Sequence, residues 1–293
     1  MPTQPILAHE PLLFTALKAL CRSRLRGGYR LFAVAERFSL LRGFIRYFVD
    51  AEHPIYVPVG MRWDRTDILN YERELVRAIT EKASAMPSGV TLVDCGADFG
   101  LISVLLLSQL PAITDVVAFE PNDEAHAALA LTLSNQLCRA RALCAAVGSY
   151  VGFGELCTPD YDQDGHARYL APAERDGIPV TTIDSVLAHR PEHCIIKLDI
   201  EGGELDALIG ARQCVAAARM VVIAIEAHPK VAARTGRDPI EVLRYLADTR
   251  TFEFMVAEDP ARRLDVSRPF FEQVEPDRIY NIVCTSVGCG PNG

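Results

Sequence analysis

The alternation of short apolar segments with helix-like stretches constrains this chain more than any other feature of its sequence. Five apolar segments of strand length follow a Pro-Ser-Gly turn, and the first two and last two each precede a helical pattern: residues 90–94, 115–120, 140–147, 194–199 and 220–226. Strands that alternate with helices predict an α/β fold, with a doubly wound, mostly parallel sheet. Residues 252–256 and 278–284 predict a final antiparallel pair, and residues 148–182, rich in Gly and Pro, predict an excursion of short strands and loops.

The composition is that of a globular protein and disfavours several other classes. Of the 293 residues, 49% are hydrophobic and 23% charged, which excludes general disorder. A net charge of −8 does not provide the positive field that non-specific nucleic-acid binding needs. The nine scattered cysteines favour reduced thiols in an apolar core. Because we find neither a signal-peptide pattern nor an apolar run of membrane-spanning length, we expect a cytoplasmic protein.

Basic residues are concentrated at the start of the chain. Residues 1–50 carry eight Lys and Arg against three acids, and apolar residues there recur at helical spacing: Leu12, Leu13, Leu17, Leu20 and Cys21. We therefore predict a basic helical extension over residues 1–66, a catalytic domain over 67–287 and a frayed tail over 288–293. A second apolar-basic stretch over residues 31–49 indicates that the extension contains two short helices, or a helix and a strand. The extension is interpreted in two ways, as a cap on the core with solvated arginines or as a surface that meets an anionic membrane or substrate.

Acidic residues end four of the predicted strands: Asp94, Glu120, Asp199 and Glu226. In open α/β sheets, ligands bind in the crevice at the carboxyl ends of the strands. The sequence therefore predicts four carboxylates around one crevice.

A glycine-containing turn follows the first of these strands and indicates a ligand. Residues 94–100 read Asp-Cys-Gly-Ala-Asp-Phe-Gly and lead into an apolar helix, so that backbone amides face whatever binds there. The dinucleotide fingerprint needs a second glycine where Asp98 stands, and a carboxylate at that position repels pyrophosphate. NAD is therefore disfavoured. S-adenosylmethionine fits better, because Asp94 and Asp98 can offset its positive charges and Glu120 can accept both ribose hydroxyls.

The motifs resemble those of the FkbM family of S-adenosylmethionine-dependent methyltransferases. The resemblance spans roughly residues 90–230, and its most specific part is the Ile-Lys-Leu-Asp-Ile-Glu-Gly-Gly-Glu string over residues 196–204; the other parts are residues 93–100, 119–122, 181–184 and 225–228. It implies a class I, Rossmann-like methyltransferase fold with a C-terminal antiparallel hairpin, and O-methylation, often of a sugar or a polyketide hydroxyl. Asp98 departs from the pattern, since relatives commonly have Asn there. The predicted cofactor residues are Asp94, Gly96, Ala97, Asp98, Phe99, Gly100, Glu120 and Pro121.

Four residues are candidates for the methyl-accepting side: Asp199, Glu201, Glu226 and His228. A hydroxyl acceptor loses its proton as the oxygen attacks, so a base near the methyl group is useful. His228 follows the last parallel strand, and the ordinary pKa of histidine suits a base at neutral pH. Asp199 and Glu201 are expected on one face by the two-residue strand period, and Glu204 is interpreted as a helix-start carboxylate. Asp199, Glu226 and His228 could instead hold a divalent ion that lowers the pKa of the acceptor, and the sequence leaves base and metal open.

The sequence-based hypothesis is therefore an O-methyltransferase that acts on a hydroxyl of a saccharide, glycolipid or related natural product. A non-catalytic module that holds adenosylmethionine or a nucleotide is the alternative. A nucleic-acid methyltransferase is disfavoured by the charge, and because residues 199–202, Asp-Ile-Glu-Gly, differ from the Asn/Asp-Pro-Pro-aromatic motif of base-flipping enzymes.

Overall fold

The structure is a computed structural model that describes residues 8–9, 12–22, 30–31, 34–35, 43–59, 68, 70–159, 169–173, 177–187 and 189–287. The frayed tail expected at residues 288–293 lies outside the described residues, as do Arg24 and Arg26 of the basic extension.

The N-terminal part contains strands as well as a helix. Strand β1 (Ala8–His9) precedes α1 (Leu12–Arg22), and β2 (Phe44–Phe48) and β3 (Pro54–Pro58) complete a three-stranded antiparallel sheet in the order β1-β2-β3. Helix α1 covers the residues with helical spacing, and the strands show that the name helical extension describes only part of this segment. The physical reason is the period-2 burial of β2, in which Ile45 and Tyr47 are buried and Arg46 between them is exposed.

The sequence of residues 67–85 has a helical pattern, and helix α2 (Arg73–Ala83) lies within it. Ile68 and Asn70 are also helical, but Glu72 has a left-handed backbone with φ +43° and separates them from α2. Leu75, Val76 and Ile79 are buried on the inner face of α2, which packs against the central sheet.

The remaining elements follow the predicted alternation. They are β4 (Val90–Cys95), α3 (Leu101–Gln109), β5 (Ile113–Phe119), α4 (Asp123–Ser134), β6 (Arg139–Leu143), β7 (Ala146–Val147), β8 (Gly152–Cys157), β9 (Tyr169–Pro172), β10 (Ile178–Thr181), α5 (Ile183–Val186), β11 (His193–Leu198), α6 (Glu204–Ile209), α7 (Arg212–Ala217), β12 (Met220–Ala227), α8 (Pro229–Thr235), α9 (Ile240–Thr249), β13 (Phe252–Val256), the 3₁₀ turn Phe270–Glu272 and β14 (Tyr280–Ser286).

Seven of these strands form the central sheet, in the order β13-β14-β12-β11-β4-β5-β6. All neighbours are parallel except β14, which is antiparallel to both β12 and β13. The predicted doubly wound, mostly parallel sheet with a C-terminal antiparallel hairpin is confirmed. Strand β11 is buried along its whole length, as a central strand with helices on both faces requires.

The segment between β6 and β11 forms a second, smaller sheet. Its strands lie in the order β7-β10-β8-β9, and β9 pairs with β8 with Tyr169 opposite Cys157. We call this unit the inserted sheet.

The N-terminal part packs against the outside of α3 and α4. Phe14 and Leu17 of α1 are buried in one apolar cluster with Leu101 and Ala128, whereas Leu12 is 89% exposed. Two hydrogen bonds join β3 to the end of α4, from the Tyr56 amide to Thr132 Oγ1 (3.0 Å) and from Gln136 Nε2 to the Pro54 carbonyl (2.8 Å). None of the described helices is long and apolar enough to cross a membrane.

Candidate active site

A cleft of about 1030 Å³ opens at the carboxyl edge of the central sheet. Its walls come from the ends of β4, β5 and β11, from the segment after β6, and from β9 of the inserted sheet. The strand order reverses between β4 and β11, which is the point where open α/β sheets bind their ligands. The volume lies at the upper end of the range for small-molecule sites, about 300–1,000 Å³, and accommodates more than a single small ligand.

The glycine turn after β4 brings two strand ends into close contact. Gly96 has φ +72°, and a Cβ there would lie 1.9 Å from the carbonyl oxygen of Asp199. Gly100 has φ +90°, and its Cβ would lie 2.9 Å from Leu129 Cδ1. Only glycine allows both the left-handed backbone and these approaches, so the turn itself sets the floor of the cleft.

A buried lysine binds the acid that precedes this turn. Lys197 Nζ lies 3.3 Å from Asp94 Oδ1 and 3.3 Å from Asp199 Oδ2, and it donates to the Gly96 carbonyl at 2.6 Å. Ser103 Oγ donates to Asp94 Oδ2 at 2.7 Å. Burial opposes the charge on Lys197, but Asp94 and Asp199 outweigh it and raise the pKa of its ammonium group. Asp94 therefore lies beneath the cleft as the partner of Lys197 and does not line it.

Glu120 lies at the end of β5 with both carboxylate oxygens directed by the backbone. Its Oε2 accepts from the Asp98 amide and its Oε1 from the Asn122 amide, each at 2.9 Å. Burial raises the pKa of Glu120. Because a carboxylate has about four lone-pair sites, each oxygen can still accept one further hydrogen bond.

Asp98 lines the cleft beside Glu120, as does Pro121. Burial and the charge of Glu120 raise the pKa of Asp98 to about 7. The side chains of Ala97 and Phe99 lie in the core on either side of it, so these two residues can reach a ligand only through their backbone.

The turn after β11 carries two more of the predicted site residues into the cleft. Asp199 and Glu201 both line it, but the expectation that they share one face of a strand is wrong, because β11 ends at Leu198. Glu201 has φ +56° and the following Gly202 φ +101°, so a left-handed turn orients them.

Glu204 holds that turn from inside. Its Oε1 accepts from the Gly202 amide at 3.0 Å and the Ile200 amide at 3.4 Å, and burial raises its pKa to about 7. The structural role expected of this residue agrees with these contacts.

Glu226 and His228 lie apart from the cleft. They line a smaller pocket between α6, α8 and α9, which shares Gly202, Thr235 and Arg237 with the cleft. Burial raises the pKa of Glu226 to about 9, with contributions from Asp199 and Glu201.

His228 begins helix α8. Its Nδ1 accepts from the Lys230 amide at 3.1 Å, and burial and the charge of Lys230 lower its pKa. With Nδ1 accepting, the neutral ring carries its proton on Nε2. The residues described by the structure contain no group of three His, Cys, Asp or Glu that could hold a metal ion, so Asp199, Glu226 and His228 do not form the metal site considered above.

Residues 94–254 match the methyltransferase FkbM domain family. The chain belongs to this family. The match covers more than half of the 293 residues, from the end of the first central strand to β13. Comparison with curated proteins finds no match.

Solved methyltransferase structures resemble this FkbM-family protein at low identity. Methyltransferase FkbM from Methylobacillus flagellatus KT is 19% identical over 81% of this chain and 56% of its own, with a TM-score of 0.44. Precorrin-6y C5,15-methyltransferase from Geobacter metallireducens GS-15 is 11% identical over 75% of this chain and 92% of its own (TM-score 0.42). The N-methyltransferase NodS from Bradyrhizobium japonicum WM9 is 10% identical over 75% of this chain and 98% of its own (TM-score 0.41). The present chain spans little more than half the length of the first of these.

Behind the cleft of this FkbM-family protein lie polar residues that the sequence analysis did not assign. Glu72 Oε2 accepts from Asn281 Nδ2 at 2.7 Å, and Asn281 also donates to Glu258. Burial, and then the charge of Asp199, raise the pKa values of Glu72 and Tyr71. Glu72 comes from the segment before the first central strand, where its sequence pattern is that of an ordinary helical residue.

One sequence signal could have drawn attention to part of this site. A lysine next to the apolar residues 194–196 of β11 indicates a buried partner, and Lys197 has two. Among the described residues, the non-glycine positions with positive φ are Glu72, Asp98 and Glu201, all of them acids at this end of the sheet. Backbone strain of this kind concentrates at functional sites.

Proposed function

We propose that this FkbM-family protein is a methyltransferase that transfers the methyl group of S-adenosylmethionine to a hydroxyl of a saccharide, glycolipid or related natural product. The observation that carries the proposal is the arrangement of carboxylates in the cleft. Glu120, oriented by two backbone amides, lies at one wall, and Asp199 and Glu201 lie at another. A ribose diol and an acceptor hydroxyl both need hydrogen-bond acceptors, and carboxylates are the strongest ones available.

The cofactor would lie across the ends of β4 and β5. Glu120 would accept the ribose hydroxyls with the oxygen lone pairs that the backbone amides leave free. The turn from Gly96 to Gly100 would face the methionine part, and Asp98 would lie close to it. Lys197 lies 3.3 Å from both Asp94 and Asp199, and because Asp94 does not line the cleft, the acids beside the sulfonium would be Asp98 and Asp199.

Methyl transfer to oxygen needs an acceptor for one proton. As the new C–O bond forms and the C–S bond breaks, the acceptor O–H bond breaks and the sulfonium becomes a neutral thioether. Asp199 is the favoured proton acceptor, because its side chain is 35% exposed in the cleft, whereas the Nδ1 lone pair of His228 is used in a helix cap. Glu226, with its pKa of about 9, is protonated at neutral pH and cannot accept a proton there.

The test is transfer of labelled methyl from adenosylmethionine to fractionated glycans and lipids. The parent protein should label a hydroxyl-bearing fraction, and Asp199→Asn should lower the rate of the chemical step about a hundredfold or more while cofactor affinity changes little. Asp248→Asn, an exposed acid on α9, is the matched control and should remain active. Cofactor binding without transfer to any fraction would favour the non-catalytic binding module, and label on nitrogen or on nucleic acid would overturn O-methylation.

A further inference from the structure

The inserted sheet forms one wall of the cleft through its edge strand. β9 pairs with β8 on one side, and residues Tyr169 to Pro172 of β9 face the cleft. The position of this wall decides how closely the cleft surrounds whatever it binds.

Arg234 connects this wall to the opposite one. It lies in the last turn of α8, and its guanidinium carbon is 3.8 Å from the ring centroid of Tyr169. The same guanidinium donates through Nη2 to the carbonyl of Glu201, in the turn that also carries Asp199. One side chain therefore contacts both the inserted sheet and the turn that supplies the two cleft carboxylates.

The turn that Arg234 contacts is held tightly by α8. Glu201 and Gly202 have successive positive φ angles of +56° and +101°. A Cβ at Gly202 would lie 2.8 Å from Thr235 Cγ2 and 3.0 Å from Val231 Cγ1, so the helix packs directly against the turn. A change at Arg234 therefore acts on a turn with little freedom to adjust.

We propose that Arg234 is a positioning residue that, stacked on Tyr169 and bonded to the Glu201 carbonyl, fixes the inserted sheet against the Asp199 turn and slows release of the cofactor product. The inference rests on the proposed use of the cleft for adenosylmethionine. Arginine suits the task because its planar guanidinium can stack on a ring face and donate in its own plane at the same time, which an ammonium cannot do. Tyr169 supplies the ring face, and this stacking contact does not involve the tyrosine hydroxyl.

The experiment compares matched pairs of variants in the full chain, with adenosylhomocysteine as the probe. Tyr169→Leu and Arg234→Met should weaken binding by calorimetry about three- to tenfold, the range of a part-buried cation–π contact, and should speed dissociation in stopped flow by a similar factor. Tyr169→Phe keeps the ring and should stay within twofold of the parent. The double variant Tyr169→Leu with Arg234→Met should lose no more than the worse single variant, because the two side chains act through one contact.

Three results would overturn the inference. One is parental affinity and dissociation rate in both single variants. Another is an equal loss in Tyr169→Phe and Tyr169→Leu, which would assign the effect to the hydroxyl. The third is additive losses in the double variant. Thermal unfolding without ligand accompanies each measurement, since a purely structural role would lower the unfolding temperature without speeding the dissociation of adenosylhomocysteine. If the parent itself does not bind adenosylhomocysteine, the proposed function falls and the positioning role falls with it.

Discussion

Gly96 faces the carbonyl oxygen of Asp199 so closely that a methyl group on its Cα would lie 1.9 Å from that oxygen. This approach joins the ends of two parallel strands, β4 and β11, at the point where the sheet reverses its order. The floor of the cleft therefore depends on the absence of a side chain at one position.

Gly96→Ala should destabilise the protein and weaken cofactor binding. Gly89→Ala is the matched control, because Gly89 also has positive φ (+98°) but no atom within 4 Å of its Cβ position. Both variants lose about 1–2 kcal/mol to the left-handed backbone, and only Gly96→Ala must also move the Asp199 turn. Chemical denaturation and calorimetry measure the two effects, and equal losses in both variants would contradict the close approach.

Glu120→Ala should weaken adenosylmethionine binding by about 1–3 kcal/mol, the value of hydrogen bonds to a charged acceptor. The expected loss comes from the ribose side of the cofactor, and the amides of Asp98 and Asn122 lose their acceptor as well. Glu192→Ala, at a side chain that is 72% exposed, serves as the control. Unchanged affinity by calorimetry in Glu120→Ala, or tight NAD binding by the parent, would refute the cofactor assignment.

Glu226 should make the folded protein less stable as the pH rises. Burial raises its pKa from the usual 4.5 to about 9, so between these values the folded state holds a proton that the unfolded state has released. The free energy of unfolding then falls with pH across that window, by up to about 1.4 kcal/mol per pH unit for one group. Glu226→Gln should remove this contribution and gain most stability, relative to the parent, near pH 8.

Denaturant titrations at pH 5 and pH 8 measure the effect. Exposed Glu155→Gln is the control and should shift neither value. The raised pKa values of Asp98 and Glu204 also make the free energy of unfolding fall with pH, up to about pH 7. This contribution remains in the Glu226→Gln variant. A stability gain that is the same at both pH values would show that Glu226 is not held protonated.

His228 should matter mainly as the cap of α8. His228→Asn keeps a side-chain acceptor for the Lys230 amide and should retain most of the activity, whereas His228→Ala loses the cap and about 0.5–2 kcal/mol of stability. A hundredfold loss of turnover in a stable His228→Asn variant would instead identify His228 as the base.

A chelator should leave activity unchanged, because the candidate ligands among the described residues do not form a metal-binding group.

Contact of the N-terminal part with anionic membranes stays a prediction. Leu12 and Leu13 are 89% and 46% exposed on α1, while Phe14 and Leu17 pack in the core, so the segment is a cap that also presents an apolar edge. Binding to vesicles with anionic lipid should appear at low salt, with about 1 kcal/mol per basic residue near the surface, and decline as salt is added.

Two matched variants test this prediction, and each replaces one exposed leucine by serine. Leu12→Ser should reduce vesicle binding in sedimentation, and Leu137→Ser, at a residue 84% exposed before β6, should not. If the protein does not bind anionic vesicles at low salt, the membrane interpretation is refuted and the N-terminal part is only a cap on the core.

The sequence alone determined the features that local patterns encode. Strand length, the alternation with helices, the acids at strand ends and the glycine turn all follow from periodicity and backbone chemistry within a few residues. The sheet with its C-terminal hairpin and the cleft position of Glu120, Asp199 and Glu201 could therefore be predicted.

Only the tertiary structure decided which groups meet. Asn281 donates to Glu72 across 209 positions of sequence, and Lys197 lies 3.3 Å from both Asp94 and Asp199. Glu226 lines a second pocket, although, like Asp199, it lies at the carboxyl end of a parallel strand. The physical reason is that such contacts depend on how strands from distant segments pair and on which helix covers each strand end. These are properties of the assembled sheet, and a local pattern contains no information about the partner that will lie beside it.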